Sequence, residues 1–161
     1  MATAISEQIA QKLHTRLQSI TVANGYENTV SEVVRGTRFG GFRPQHLQLI
    51  MNQGTLTRND ELSHPGNPPA TAYEMPFEIV GLLMPSESST DKIDLLRNQF
   101  AADTIKAIST PQSSWHNFDS LAILSVISDI QDITQEESSG FRLTLTVTFR
   151  VTENDPFQVR A

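Results

Sequence analysis

Apolar side chains recur every three or four residues at the start of the chain: Ile5, Ile9, Leu13, Leu17 and Ile20. That spacing puts them on one stripe of a helix. The polar residues Glu7, Gln8, Gln11, Lys12 and Gln18 fall elsewhere on the wheel. The pattern predicts an α-helix over about Thr3 to Val22 whose stripe faces a core. Asn24-Gly25 follows and can supply the left-handed residue that ends a helix. A second helix is predicted over about Asp91 to Ile108, with Ile93, Leu96, Phe100, Ile105 and Ile108 as its buried stripe. Ser88 and Asp91 have capping-box spacing at its start, with Asp in place of the usual Glu. Thr110-Pro111 marks its stop.

The strongest strand pattern lies near the end of the chain. Phe141, Leu143, Leu145, Val147, Phe149 and Val151 alternate without a break against Arg142, Thr144, Thr146, Thr148, Arg150 and Thr152. Period-two alternation means one face in a core and one face polar. Such a strand runs on the order of 40 Å at the usual rise per residue. Met75 to Met84 is apolar on both faces, which suits a central strand covered on both sides. Leu121 to Ile130 has the same two-faced apolar character. Shorter strands are predicted at Thr29 to Arg35 and at Leu47 to Met51. Gly36 to Pro44 is glycine-rich and is expected to be a turn or loop.

Two segments lack any period. Thr55 to Tyr73 is polar, contains Pro65-Gly66-Asn67-Pro68-Pro69, and is expected to be a long irregular loop. Gln131 to Gly140 carries Asp132, Glu136 and Glu137 and is expected to be the acidic tip of a hairpin joining the last two strands. The element order predicts an α+β fold over residues 1–161 as one domain. Its sheet is mainly antiparallel, two helices pack on one face, and the hairpin near the C-terminus is long.

Composition narrows the chemistry. The chain of 161 residues has no cysteine, which removes disulfides, thiol nucleophiles and Cys-ligated zinc. The formal net charge is −6, so the chain repels nucleic acid overall and is not expected to be a sequence-specific DNA binder. The first residues lack the basic start and apolar run of a secretory signal. No stretch approaches the roughly 20 apolar residues of a membrane helix.

Catalytic patterns are not found. Gly36-Thr37-Arg38-Phe39-Gly40-Gly41 lacks the Gly-Lys-Ser/Thr ending of a phosphate loop. His14, His46, His64 and His116 are scattered, with none of the helical pair spacing a zinc hydrolase uses. There is no Gly-x-Ser-x-Gly elbow. No carboxylate pair sits among apolar residues in a way that would raise one pKa. The chain is therefore expected not to be an enzyme, and to need no cofactor and no metal. Two features admit a reading as contact surfaces, beside the plainer ones of a hydrated hairpin loop whose phenylalanines tuck into the core and of an exposed sheet face. Arg35, Arg38, Phe39, Phe42 and Arg43 concentrate basic and aromatic side chains, the types enriched at interface hot spots. The polar face of the last strand, with Arg142 and Arg150 among its threonines, could pack on a neighbouring subunit.

The order of elements carries a resemblance. A helix leads to a strand ending Val33-Val34-Arg35-Gly36, and a second strand, Leu47 to Met51, closes with Gln53-Gly54. The apolar Phe77-Glu78-Ile79-Val80-Gly81 precedes a helix containing Ala102-Asp103-Thr104-Ile105-Lys106-Ala107-Ile108, and the Thr-rich last strand runs into Asp155-Pro156. This resembles the tail terminator and tail completion proteins of siphophages, the group that includes the lambda tail terminator. The resemblance covers almost the whole chain but rests on order, length and pattern, not on one specific motif. It implies a homo-oligomeric ring of six copies that caps a finished tail tube, stops its growth and offers a surface for joining the head. The implied partners are copies of the chain itself, the tail tube protein and a head-completion or neck protein. Genome DNA would pass through the hole without specific binding, and no membrane is involved. The expected location is the head-proximal end of the tail in the virion, and the host cytoplasm during assembly. A neck adaptor of the head–tail joint is the alternative, and a small ligand-binding α+β domain with a deep apolar pocket is a more distant one.

Overall fold

The amphipathic repeat of the first segment folds as helix α1 (Ile5–Gln18), which buries Ile5, Ile9, Ala10, Leu13 and Leu17. The structure, a computed structural model, describes residues 2–36, 47–66, 68–83, 93–109, 118, 121–135 and 138–159. α1 stops four residues before the expected Val22. The Ser19 hydroxyl donates to the Arg16 carbonyl at 2.6 Å, and a 3-10 turn over Val22–Asn24 follows. Gly25, at φ 87°, closes that turn rather than α1. Its left-handed backbone is one that only glycine adopts without cost.

Helix α2 (Ile93–Ser109) forms where the second apolar repeat predicts it. Its buried set differs from the expected stripe: Phe100, Asp103, Thr104, Ala107 and Ile108 are buried, while Ile93, Leu96 and Ile105 are only partly so. The Ser88–Asp91 capping box and the Thr110-Pro111 stop lie outside the described residues.

Among the described residues, seven strands form one mixed sheet: β1 (Glu32–Arg35), β2 (Leu47–Gln53), β3 (Thr57–His64), β4 (Ala70–Leu83), β5 (Leu124–Gln135), β6 (Ser138–Thr152) and β7 (Asp155–Val159). The path is β1-β2-β4-β6-β5; β3 adds to β4 and β7 to β6. All pairs are antiparallel except β1 with β2, which run parallel with Val33 beside Leu49. The α+β class thus holds.

The long pairing of β4 with β6 sets the core. Met75, Phe77 and Ile79 stand opposite Val147, Leu145 and Leu143. Leu47, Leu49 and Met51 of β2 join the same face. These side chains and the stripe of α1, with Phe100 and Ile108 of α2, make one hydrophobic cluster. Both helices therefore lie on one face of the sheet. The other face carries Thr144, Thr146, Arg142 and Arg150 of β6 beside Glu78 and Glu74 of β4.

The expected loop from Thr55 to Tyr73 is not a loop. β2 and β3 run in succession along the same edge of β4, so this stretch is one interrupted arm of a hairpin whose turn holds Pro65 and Pro68-Pro69. Thr57 to His64 is exposed or half-exposed at every position, so no apolar period marks it. Pairing with Tyr73, Ala72 and Ala70 makes it a strand. The interruption at Gly54 coincides with Pro76 of β4. The Gly54 N–H donates to the Pro76 carbonyl at 2.7 Å, and a Cβ at Gly54 would lie 2.8 Å from Pro76 Cγ. A proline inside a central strand normally costs a ladder bond. Here the lost bond is the one opposite Gly54, at the point where β2 ends, so the break in the ladder falls between β2 and β3.

The acidic segment from Gln131 to Gly140 is also mostly strand. β5 runs on to Gln135 and β6 starts at Ser138, leaving residues 136–137 between them. Glu136 and Glu137 lie outside the described residues. The short β7, with Asp155 opposite Thr152, was not signalled by any alternation.

Candidate interaction surface

The sequence-predicted contact residues do not gather at one place. Arg35 ends β1 on the helix-bearing side of the sheet. There its guanidinium donates to both carboxylate oxygens of Glu7 on α1, at 2.8 and 3.0 Å. Arg142 and Arg150 lie on the opposite face, near the two ends of β6. Arg142 approaches Glu78 at 3.6 Å, and Arg150 Nε donates to the Leu62 carbonyl at 2.7 Å. Arg150 therefore ties β3 to the sheet. Arg38, Phe39, Phe42 and Arg43 lie outside the described residues.

The Glu7–Arg35 fork pins α1 to β1. The hydrogen bond from Arg35 holds the Glu7 carboxyl below the usual carboxylate range, and Glu7 holds the Arg35 guanidinium above its own. A carboxylate whose pKa is depressed in the fold contributes stability above its unfolded value, and that contribution is lost as pH falls through the folded value. Both side chains are about one-third exposed, so solvent screens the pair to about 0–1 kcal/mol. Glu7→Gln should therefore lower stability at neutral pH by no more than that. Urea titrations of the two proteins should converge once the Glu7 carboxyl is protonated. A gap that persists in acid would mean the fork is not the cause.

The less expected surface is the edge of the sheet. The two-faced apolar pattern of Leu121 to Ile130 suggested a strand covered on both sides; instead β5 is an edge strand. Among the described residues, only one of its faces is covered. Ser125 is buried and Ile127 packs on the core, opposite Val147 and Leu145. Leu124, Val126 and Ile130 are 46, 49 and 51% exposed. Sheet edges are usually protected by charge, proline, shortness or a bulge. β1 is four residues long and carries Glu32 and Arg35. β3 carries Arg58, Asp60 and Glu61. β5 from Asp129 onward has a bulge and two aspartates, Asp129 and Asp132. From Leu124 to Ser128 it has none of these devices.

Grooves lie elsewhere. One, lined by Gln8, Gln11, Lys12, Thr15 and Arg16, runs over the outer side of α1. Another, at the β3–β4 turn, is lined by residues that include Arg58, His64 and Glu153. Among the described residues, no three His, Cys, Asp or Glu side chains are grouped to hold a metal ion, and no helix is long and apolar enough to cross a membrane. Comparison with models of known protein families finds no match, and neither does comparison with curated proteins.

Proposed function

We propose that this chain is a structural assembly protein of the tail-terminator kind. Copies of it join into a closed ring that caps a tail tube, ends its elongation and presents a surface to the head. The observation that carries this reading is the unguarded, apolar edge of β5 from Leu124 to Ser128. A ring needs a heterologous contact, in which one side of a subunit meets a different side of the next. β5 lies at the far edge of the sheet from β1 and β3, so a contact between opposite edges would run head to tail. A net charge of −6 suits a passage along which DNA must slide without sticking.

Electron microscopy and native mass measurement across a concentration series test the reading. Wild-type protein should form closed rings of one copy number. Val126→Lys places a charge on the unguarded edge, at a position exposed enough that stability should stay within about 0.5 kcal/mol. It should abolish the rings and leave a folded monomer. Rings unaffected by Val126→Lys would reject the β5 edge as the contact. Monomers at every concentration, with or without tail tubes, would reject the ring itself.

A further inference from the structure

β5 is not uniform along its length. Ser128 pairs with Thr144 and Gln131 pairs with Arg142, so Asp129 and Ile130 together face one residue of β6. This is a bulge, and Asp129 sits in it at φ 51°. Bulges disrupt the ladder locally and bend the strand. Before the bulge, β5 is anchored by buried Ser125, by Ile127 on the core, and by the Ile123 N–H donating to the Thr148 carbonyl at 2.7 Å. After it, Gln131 and Asp132 are exposed and Ile133 is only partly buried. Few buried apolar contacts mean low local stability.

Among the described residues, Arg97 of α2 ties this outer half to the helix layer. Its side chain is 13% exposed. The guanidinium lies 2.9 Å from Asp94 and 3.3 Å from Asp132, and donates to the Ser139 hydroxyl at 3.4 Å. Nε is buried without a well-directed hydrogen bond. The latch is thus ionic and imperfectly made on its β5 side. β6 does not depend on it, because Ser139 to Thr152 pairs along β4, with Phe141 and Leu143 in the core.

We propose that β5 beyond the bulge, Gln131 to Gln135, is a detachable edge strap. It hinges at Asp129–Ile130, is latched to α2 by Arg97–Asp132, and when released it uncovers the β6 edge from Ser139 to Arg142. The inference is independent of the ring reading, since it concerns motion within one chain.

Hydrogen exchange followed by mass spectrometry on the full chain tests it. In wild-type protein, exchange in peptides covering 131–135 and 139–142 should quicken as salt rises, while 124–128 stays constant. Asp132→Asn at low salt should quicken the same peptides by up to about fivefold, and by no less than about 1.4-fold, the range for an ion pair with one exposed partner. Equal changes on both sides of the bulge would overturn the proposal, because the hairpin would then move as one unit. So would exchange in 131–135 that responds neither to salt nor to Asp132→Asn.

Discussion

Asp103→Ala is expected to lower the unfolding free energy by about 1–3 kcal/mol. Asp103 lies in the middle of α2 and is 4% exposed. One carboxyl oxygen accepts the Glu27 N–H at 3.1 Å. The other accepts the Asn28 N–H at 2.9 Å and the Asn28 side-chain amide at 3.0 Å. These bonds hold the segment between the 3-10 turn and β1 against α2, across a gap of about 75 residues in the chain. Truncation removes three hydrogen bonds to a charged acceptor, a loss of about 1–3 kcal/mol in all, because the freed donors sit on exposed Glu27 and half-buried Asn28, where water partly replaces the carboxylate. Asp103→Asn keeps one acceptor oxygen but turns an NH2 group toward one of those donors, so it should lose about half as much. Urea unfolding of both variants measures this. Hydrogen exchange at residues 26–30 should quicken in the same order. If Asp103→Ala unfolds within 0.5 kcal/mol of wild type, water replaces the clamp and Asp103 is not an anchor.

Gly140→Ala is expected to cost on the order of 3 kcal/mol, by overpacking at a place that cannot relax. Gly140 of β6 pairs with Leu82 of β4, and a Cβ added to it would fall on the carbonyl oxygen of Gly81. That oxygen belongs to the central strand of the sheet, so the clash moves backbone and not a side chain. The neighbouring Gly81 has a different reason to lack a side chain. Its empty side leaves room for the Phe141 ring, which packs edge-on against Phe100 of α2 with ring centres 5.3 Å apart. Gly81→Ala would push the ring off this contact and loosen α2 from the sheet. Gly140→Ala should lower the denaturant midpoint with little change in slope, and near-ultraviolet circular dichroism should stay native. Gly81→Ala should also alter the aromatic signal. If Gly140→Ala matched wild type, the close approach of β4 and β6 at this point would be wrong.

The stripe of α1 and the alternation of β6 were legible in the residues alone, because each records burial on one side of a regular element. β4 reads as apolar on both faces, but only the side with Met75, Phe77 and Ile79 lies in the core; the other carries half-buried Glu74 and Glu78. Three features were not legible. β3 is exposed on both faces, so its strand character comes only from its partner β4. The acidic stretch after Ile130 reads as a turn by composition, yet its backbone is held in the ladder by β6. Asp103 looks like an ordinary polar position of an amphipathic helix. The turn at Glu27 and Asn28, which gives its burial meaning, is remote in the chain. The surface was the least legible part. Arg35 and Arg150 stood out by charge, but both are engaged within the fold, whereas Leu124 and Val126 passed as core residues.

What the sequence determined by itself is the class of fold, the two helices and the buried face of β6. Local periodicity is enough for these, since it reports which side chains leave water. Tertiary structure alone decided strand order, the parallel β1–β2 pair, the joint of β2 and β3 at Pro76, and the place of β5 at the edge. Those depend on which backbone groups pair across long stretches of chain. A backbone N–H or C=O is the same at every residue, so the order of side chains does not announce its partner.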